Sequence, residues 1–111
     1  MADDLTAKTC VPCRGGIPPL TEDEAKGLAK QTPDWQLAPK AHHISRKFAF
    51  PDFKTALSFV DKVGALAEDE GHHPDLEFGW GYCTIKTFTH KINGLHENDF
   101  ILAAKIDKLP R

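Results

Sequence analysis

No stretch of the 111-residue chain approaches the ~20 consecutive apolar residues that a membrane-spanning helix requires, so a membrane partner is not expected. Basic residues are not in excess either. Fourteen Lys and Arg stand against sixteen Asp and Glu, and a formal net charge of -2 leaves no electrostatic footprint for nucleic acid or an anionic membrane. Cysteine is scarce and odd in number: Cys10, Cys13 and Cys83 argue against a closed disulfide framework and fit a reducing compartment. The opening residues Met1-Ala2-Asp3-Asp4-Leu5 have neither the basic start nor the apolar stretch of a secretory signal, so the expected location is cytoplasmic. Internal repeats and low-complexity segments are not evident. The length suits one small domain whose core has little surplus buried surface, a size at which homo-oligomerisation would help.

What is present divides at about residue 20. Residues 1–20 are polar, punctuated by Gly and Pro and without sustained periodicity, and read as an arm that is flexible or laid on the surface of a domain formed by 21–111. Cys10-Val11-Pro12-Cys13 in that arm has the spacing of a zinc half-site or a redox pair. No second CxxC completes a four-ligand zinc site, and the following Arg14-Gly15-Gly16 is loop composition rather than a thioredoxin-like context. A plain arm is therefore expected, with the metal and redox readings as alternatives.

From Thr21 onward the periodicities are legible. Thr21 and Glu24 form a capping-box pair for a helix ending near Gln31, where Thr32 precedes Pro33. Trp35 and Leu37, then Ile44, Phe48 and Phe50, alternate as two strands joined around Pro39-Lys40-Ala41, with Arg46 out of place on the apolar parity. A long helix is expected over Pro51 to His72, with Phe53, Ala56, Leu57, Val60, Val63, Gly64 and Ala67 on one face. Leu76, Phe78 and Trp80, then Cys83, Ile85 and Thr87, outline a hairpin, with Trp80 expected in the core. A last helix carries Leu95, Asp99, Leu102, Ala103 and Ile106 on one side. The order α-β-β-α-β-β-α lacks the alternation of a parallel sheet. It predicts an α+β fold, a four-stranded antiparallel sheet with three helices packed on one face.

His72, His73 and His90 are the candidate chemical groups, because imidazoles titrating near pH ~6.5 can donate and accept protons at neutral pH. Adjacent residues at a helix end point about 100° apart, so His72 and His73 suit the two sides of a flat ligand better than convergence on one metal ion. No metal is expected. His42-His43 reads as a surface or interface pair.

The pattern Glu68-x3-His72-His73-Pro74-x5-Trp80-x9-His90-x8-Asp99 resembles the signature of the pterin-4a-carbinolamine dehydratase family. The resemblance extends over Thr21 to Leu109, through Trp35-Gln36-Leu37, Phe48-Ala49-Phe50-Pro51-Asp52-Phe53 and Asn93-Gly94-Leu95. It implies the same architecture, a tetramer built from two dimers, and a hydro-lyase that removes water from 4a-hydroxytetrahydrobiopterin to give the quinonoid dihydropterin in tetrahydrobiopterin recycling. No cofactor is needed for that chemistry. By position, His72 and His90 would be the acid/base pair on opposite faces of the pterin and His73 would bind and orient it. Glu68 would hydrogen-bond the ring's polar edge or tune an imidazole, Asp99 would complete the substrate-binding set by positioning His90 or another site histidine, and Thr89 would contribute to substrate binding. Phe88 replaces a small hydroxyl usual in the family, and His96 replaces the usual small cap of the last helix, for which Asn98 or Asn93 could substitute. The alternative the family allows is a non-catalytic module on the same fold, an assembly factor or a coactivator partner of a transcription factor.

Overall fold

The computed structural model describes residues 4–11 and 15–111. Helix α1 (Glu22–Ala29) begins with the expected capping box: the Thr21 hydroxyl accepts from the Glu24 amide at 3.2 Å and Glu24 accepts from the Thr21 amide at 2.9 Å. Strand β1 (Gln36–Leu37) is shorter than expected. Trp35 lies outside it, buried, with its indole N–H donating to Asp107 at 2.9 Å. A single 3-10 turn, Pro39–Ala41, leads to β2 (Ile44–Ala49).

Helix α2 (Phe53–Glu70) starts at Asp52, whose carboxylate accepts from the Thr55 amide and hydroxyl at 2.8 and 2.6 Å, so Pro51 precedes the cap instead of occupying the first turn. The helix closes at Gly71, which adopts φ 65°. Its amide donates to the Glu68 carbonyl and the next amide, of His72, donates back to Ala67. His72 and His73 therefore follow the helix rather than forming its last turn. The buried stripe of α2 also differs from the expected one. Ala56, Phe59, Val63 and Ala67 face the core, whereas Phe53 and Leu57 are exposed. Phe59 packs against the rings of Phe48 and Phe50 at 4.8 and 5.2 Å.

Strands β3 (Asp75–Gly79) and β4 (Tyr82–Thr87) form the hairpin, turning at Gly81 with φ 83°. Trp80 at this turn is 72% exposed, contrary to the core position expected of it. All pairings are antiparallel and the strand order is β1-β2-β4-β3, with Phe48 and Phe78 both opposite Cys83. Ile44, Phe48, Cys83, Ile85 and Thr87 point to the covered face, where the three helices lie. Arg46 shares that face because it is tied there: its guanidinium lies over the Phe48 ring at 4.3 Å and pairs with Asp107 at 2.7 Å.

Helix α3 (Glu97–Asp107) is buried on nearly all sides rather than along one stripe. The reason is the arm. A 3-10 turn at Leu5–Ala7 packs against α3, and Leu5 and Cys10 join the same apolar core as Phe100, Leu102 and Ile106. His96 itself caps α3, its Nδ1 accepting from the Asn98 amide at 3.0 Å, so neither Asn98 nor Asn93 takes over that role.

Candidate active site

Where α2 exits into β3, and β4 exits into the 3-10 turn His90–Ile92, a cleft of about 460 Å³ opens, within the range of small-molecule sites. His72, His73 and His90 line it together, although the chain separates the first pair from the third. Gly71 and Pro74 set the path of the pair. Gly71 turns the chain out of α2, and Pro74, which has no amide hydrogen to donate, forms part of the cleft wall before β3 begins.

Behind His72 lies a fully buried carboxylate. Asp99 Oδ1 accepts from His72 Nε2 at 2.6 Å and from the Thr87 hydroxyl at 2.7 Å; Oδ2 accepts from the Thr89 hydroxyl at 2.9 Å and the His96 amide at 3.0 Å. Four donors converge on the two oxygens, which is close to the full accepting capacity of a carboxylate. The bond to Asp99 fixes the ring of His72 and leaves Nδ1 as the nitrogen available to a ligand. Asp99 thus reaches the cleft only through His72, and the Thr89 hydroxyl points to Asp99 while other atoms of Thr89 line the cleft. Asp99 holds a site histidine, as the resemblance implies, and that histidine is His72.

His73 turns the other way. Its Nε2 pairs with Glu68 Oε2 at 2.5 Å near the surface, one turn back along α2, so Nδ1 is again the nitrogen left for a ligand. His90 is exposed, with its ring stacked on Phe88 at a centroid distance of 4.2 Å. Phe88 in turn stacks on His42 at 4.7 Å, and His42 contacts His43 Nδ1 at 3.1 Å and Asn93 Oδ1 at 3.0 Å. Burial, with the nearby Lys86 and His42 charges, holds the His43 imidazole below its ordinary titration range. His42 and His43 are thus partly exposed neighbours of the site. Nothing in the local sequence shows this, since Phe88 is what connects them to His90.

Thr87 is the other site residue that the sequence reading leaves without a role. The only signal for it is an inward-facing hydroxyl on the parity of Cys83 and Ile85.

The arm borders the cleft through Val11. Cys10 is buried, and desolvation, reinforced by the Glu70 carboxylate, pushes its thiol up to about 12, the opposite of a redox-active cysteine. Cys13 and Pro12 of the CxxC spacing lie outside the described residues. Among the described residues no three His, Cys, Asp or Glu side chains are grouped to hold a metal ion, and no helix is long and apolar enough to cross a membrane.

Comparison with known proteins is consistent with this geometry. A family model described as pterin 4 alpha carbinolamine dehydratase matches residues 18–109. A Methylococcus capsulatus protein, provisionally named a pterin-4-alpha-carbinolamine dehydratase, is 58% identical over 97% of this chain and 95% of its own length. An Aromatoleum aromaticum protein of the same provisional name is 57% identical over 98% and 97%. Among solved structures, a Brucella melitensis protein described as a transcriptional coactivator/pterin dehydratase superposes with a TM-score of 0.74 at 31% identity, covering 80% of this chain and 95% of that one. A pterin dehydratase-like protein described as a RuBisCO assembly factor in the alpha-carboxysome superposes with a TM-score of 0.57 at 28% identity, covering 67% and 86%.

Proposed function

The chain belongs to the pterin 4 alpha carbinolamine dehydratase family, and on that premise we propose that it is a hydro-lyase that dehydrates 4a-hydroxytetrahydrobiopterin to the quinonoid dihydropterin. The observation that carries this reading is the cleft in which His72, backed by buried Asp99, meets His73 and His90.

Hydroxide is a poor leaving group, so the reaction needs a proton delivered to the 4a oxygen and another removed from a ring nitrogen. His72, as imidazolium, donates from Nδ1 to the hydroxyl. The C4a–O bond breaks as the lone pair of the adjacent ring nitrogen forms the new C=N bond, and water leaves. His90, across the ring, accepts the proton lost from nitrogen. One proton enters and one departs, and the oxidation level of the pterin is unchanged. Asp99 orients His72 and holds its Nε2, so that Nδ1 is the atom presented to the ligand. His73, braced by Glu68, binds and orients the ring. Thr89 acts on the same site through Asp99.

Because each histidine serves a different one of the two proton transfers and the other remains assisted in a single variant, each of His72→Ala and His90→Ala retains part of the activity. The double variant loses about 10²–10⁴-fold or more, the span of general acid/base contributions. His73→Ala raises KM more than it lowers kcat. A folded double variant turning over at the wild-type rate would remove the histidines from the chemistry.

Self-association belongs to the same proposal. Phe53 and Leu57 on α2 and Trp80 at the hairpin turn are apolar and exposed, and a homo-oligomer such as a tetramer would cover them. The non-catalytic alternative is favoured by the descriptions of the transcriptional coactivator/pterin dehydratase and of the RuBisCO assembly factor, but a pure scaffold has no chemical use for the histidine set.

A further inference from the structure

Residues 4–11 lie outside the span matched by the family model, yet the segment is built into the wall of the cleft. Leu5 and Cys10 are in the core, and the Lys8 ammonium pairs with Glu97 at 2.8 Å. Glu70 accepts from the Cys10 amide at 2.8 Å while pairing with Lys105 at 2.7 Å. Asn98 completes the clasp. Its side-chain oxygen accepts from the Val11 amide at 3.0 Å and its side-chain nitrogen donates to the Val11 carbonyl at 2.6 Å. Asn98 is almost wholly buried, so releasing Val11 would strand both ends of a buried amide. The adjacent residue on α3, Asp99, holds His72. One turn of α3 therefore fixes the arm and the candidate acid in register.

This clasp leaves Val11 56% exposed on the same cleft surface as His72 and His73. An isopropyl group at that position gives a flat heteroaromatic ligand an apolar contact beyond those offered by Phe88 and Pro74. We infer that Cys10–Val11 is a fixed wall of the pterin cleft, and that Val11 contacts the bound substrate and sets its affinity. The inference rests on the dehydratase reading and adds to it a determinant from outside the family-matched span.

The test is the affinity of the full chain for 7,8-dihydrobiopterin, a stable reduced pterin without the 4a hydroxyl, together with KM and kcat for dehydration. Val11→Ala is expected to raise Kd and KM about three- to tenfold, less than the full burial of two carbon groups would give because Val11 lies at the cleft rim, with kcat little changed. Asn98→Ala should produce a similar rise, and adding Val11→Ala to it should produce no further one, because the wall has already been released. Val11 is exposed enough that its variant folds, so the result does not depend on Asn98→Ala folding. Wild type binding the pterin with Val11→Ala matching its Kd and KM would overturn the wall and leave the dehydratase reading standing, as would a fall in kcat with Kd unchanged. Wild type that neither binds the dihydropterin nor dehydrates would overturn the dehydratase reading, and the wall with it.

Discussion

Asp99 is where the site and the fold are the same object. It accepts from the Thr87 and Thr89 hydroxyls, a helix-capping amide and the His72 imidazole, and no solvent reaches it. Asp99→Asn keeps the shape but replaces an accepting oxygen with a donor facing other donors. The expected result is a kcat lower by about 10–100-fold with a displaced pH–rate profile. A stability loss of about 1–3 kcal/mol should accompany it, read from urea unfolding. A variant with wild-type kcat would show that His72 needs no carboxylate behind it. At this scale Glu68, His72, His73, His90 and Asp99 were legible because their spacing is a local pattern in the chain. Which histidine Asp99 serves was not, because that depends on α3 packing beside the end of α2. Thr87 and the His42–Phe88–His90 stack were invisible for the same reason: their partners are supplied by tertiary packing.

Among elements, α2 delivers the histidine pair, and its two ends carry separate consequences. Gly71 closes the helix at φ 65°, and a Cβ there would meet nothing within 4 Å, so the cost of Gly71→Ala is conformational. About 1–2 kcal/mol of stability should be lost, seen as a lower urea midpoint at unchanged slope. An unchanged midpoint would mean that the helix end does not depend on that conformation. One residue earlier, burial pushes the Glu70 carboxyl up, but the Cys10 amide and the Lys105 ammonium outweigh it and hold the group below its ordinary value of 4.5. A depressed carboxylate contributes stability that is complete above its unfolded value and disappears as pH falls through the folded one. Stability, and protection of the Val11 amide from hydrogen exchange, should therefore decline as pH drops from about 5 to below 4, a decline that Glu70→Gln should flatten. An equal decline in both proteins would detach Glu70 from the arm. The helix itself was legible from its apolar period, but its buried stripe was not, because Phe53, Leu57 and Phe59 all fit overlapping helical repeats. The sheet chose Phe59 by stacking Phe48 and Phe50 against it.

For the whole molecule, the element order was sufficient to predict an antiparallel four-stranded sheet with its helices on one face, since no strand-helix alternation supports a parallel one. The part played by the arm was not predictable from periodicity. Leu5 and Cys10 are isolated apolar residues in a polar segment, and only the second side of α3 gives them a place to bury. Trp80 misled for the converse reason, because alternation continues through Phe78 into the turn while the sheet ends at Gly79. The measurement that bears most directly on the account is the rate at which chemically generated 4a-hydroxytetrahydropterin loses water with catalytic amounts of the intact protein and excess EDTA. The account predicts many turnovers per chain, with quinonoid dihydropterin as the product and no response to the chelator. A rate equal to that of buffer alone, or one abolished by EDTA and restored by zinc, would contradict it.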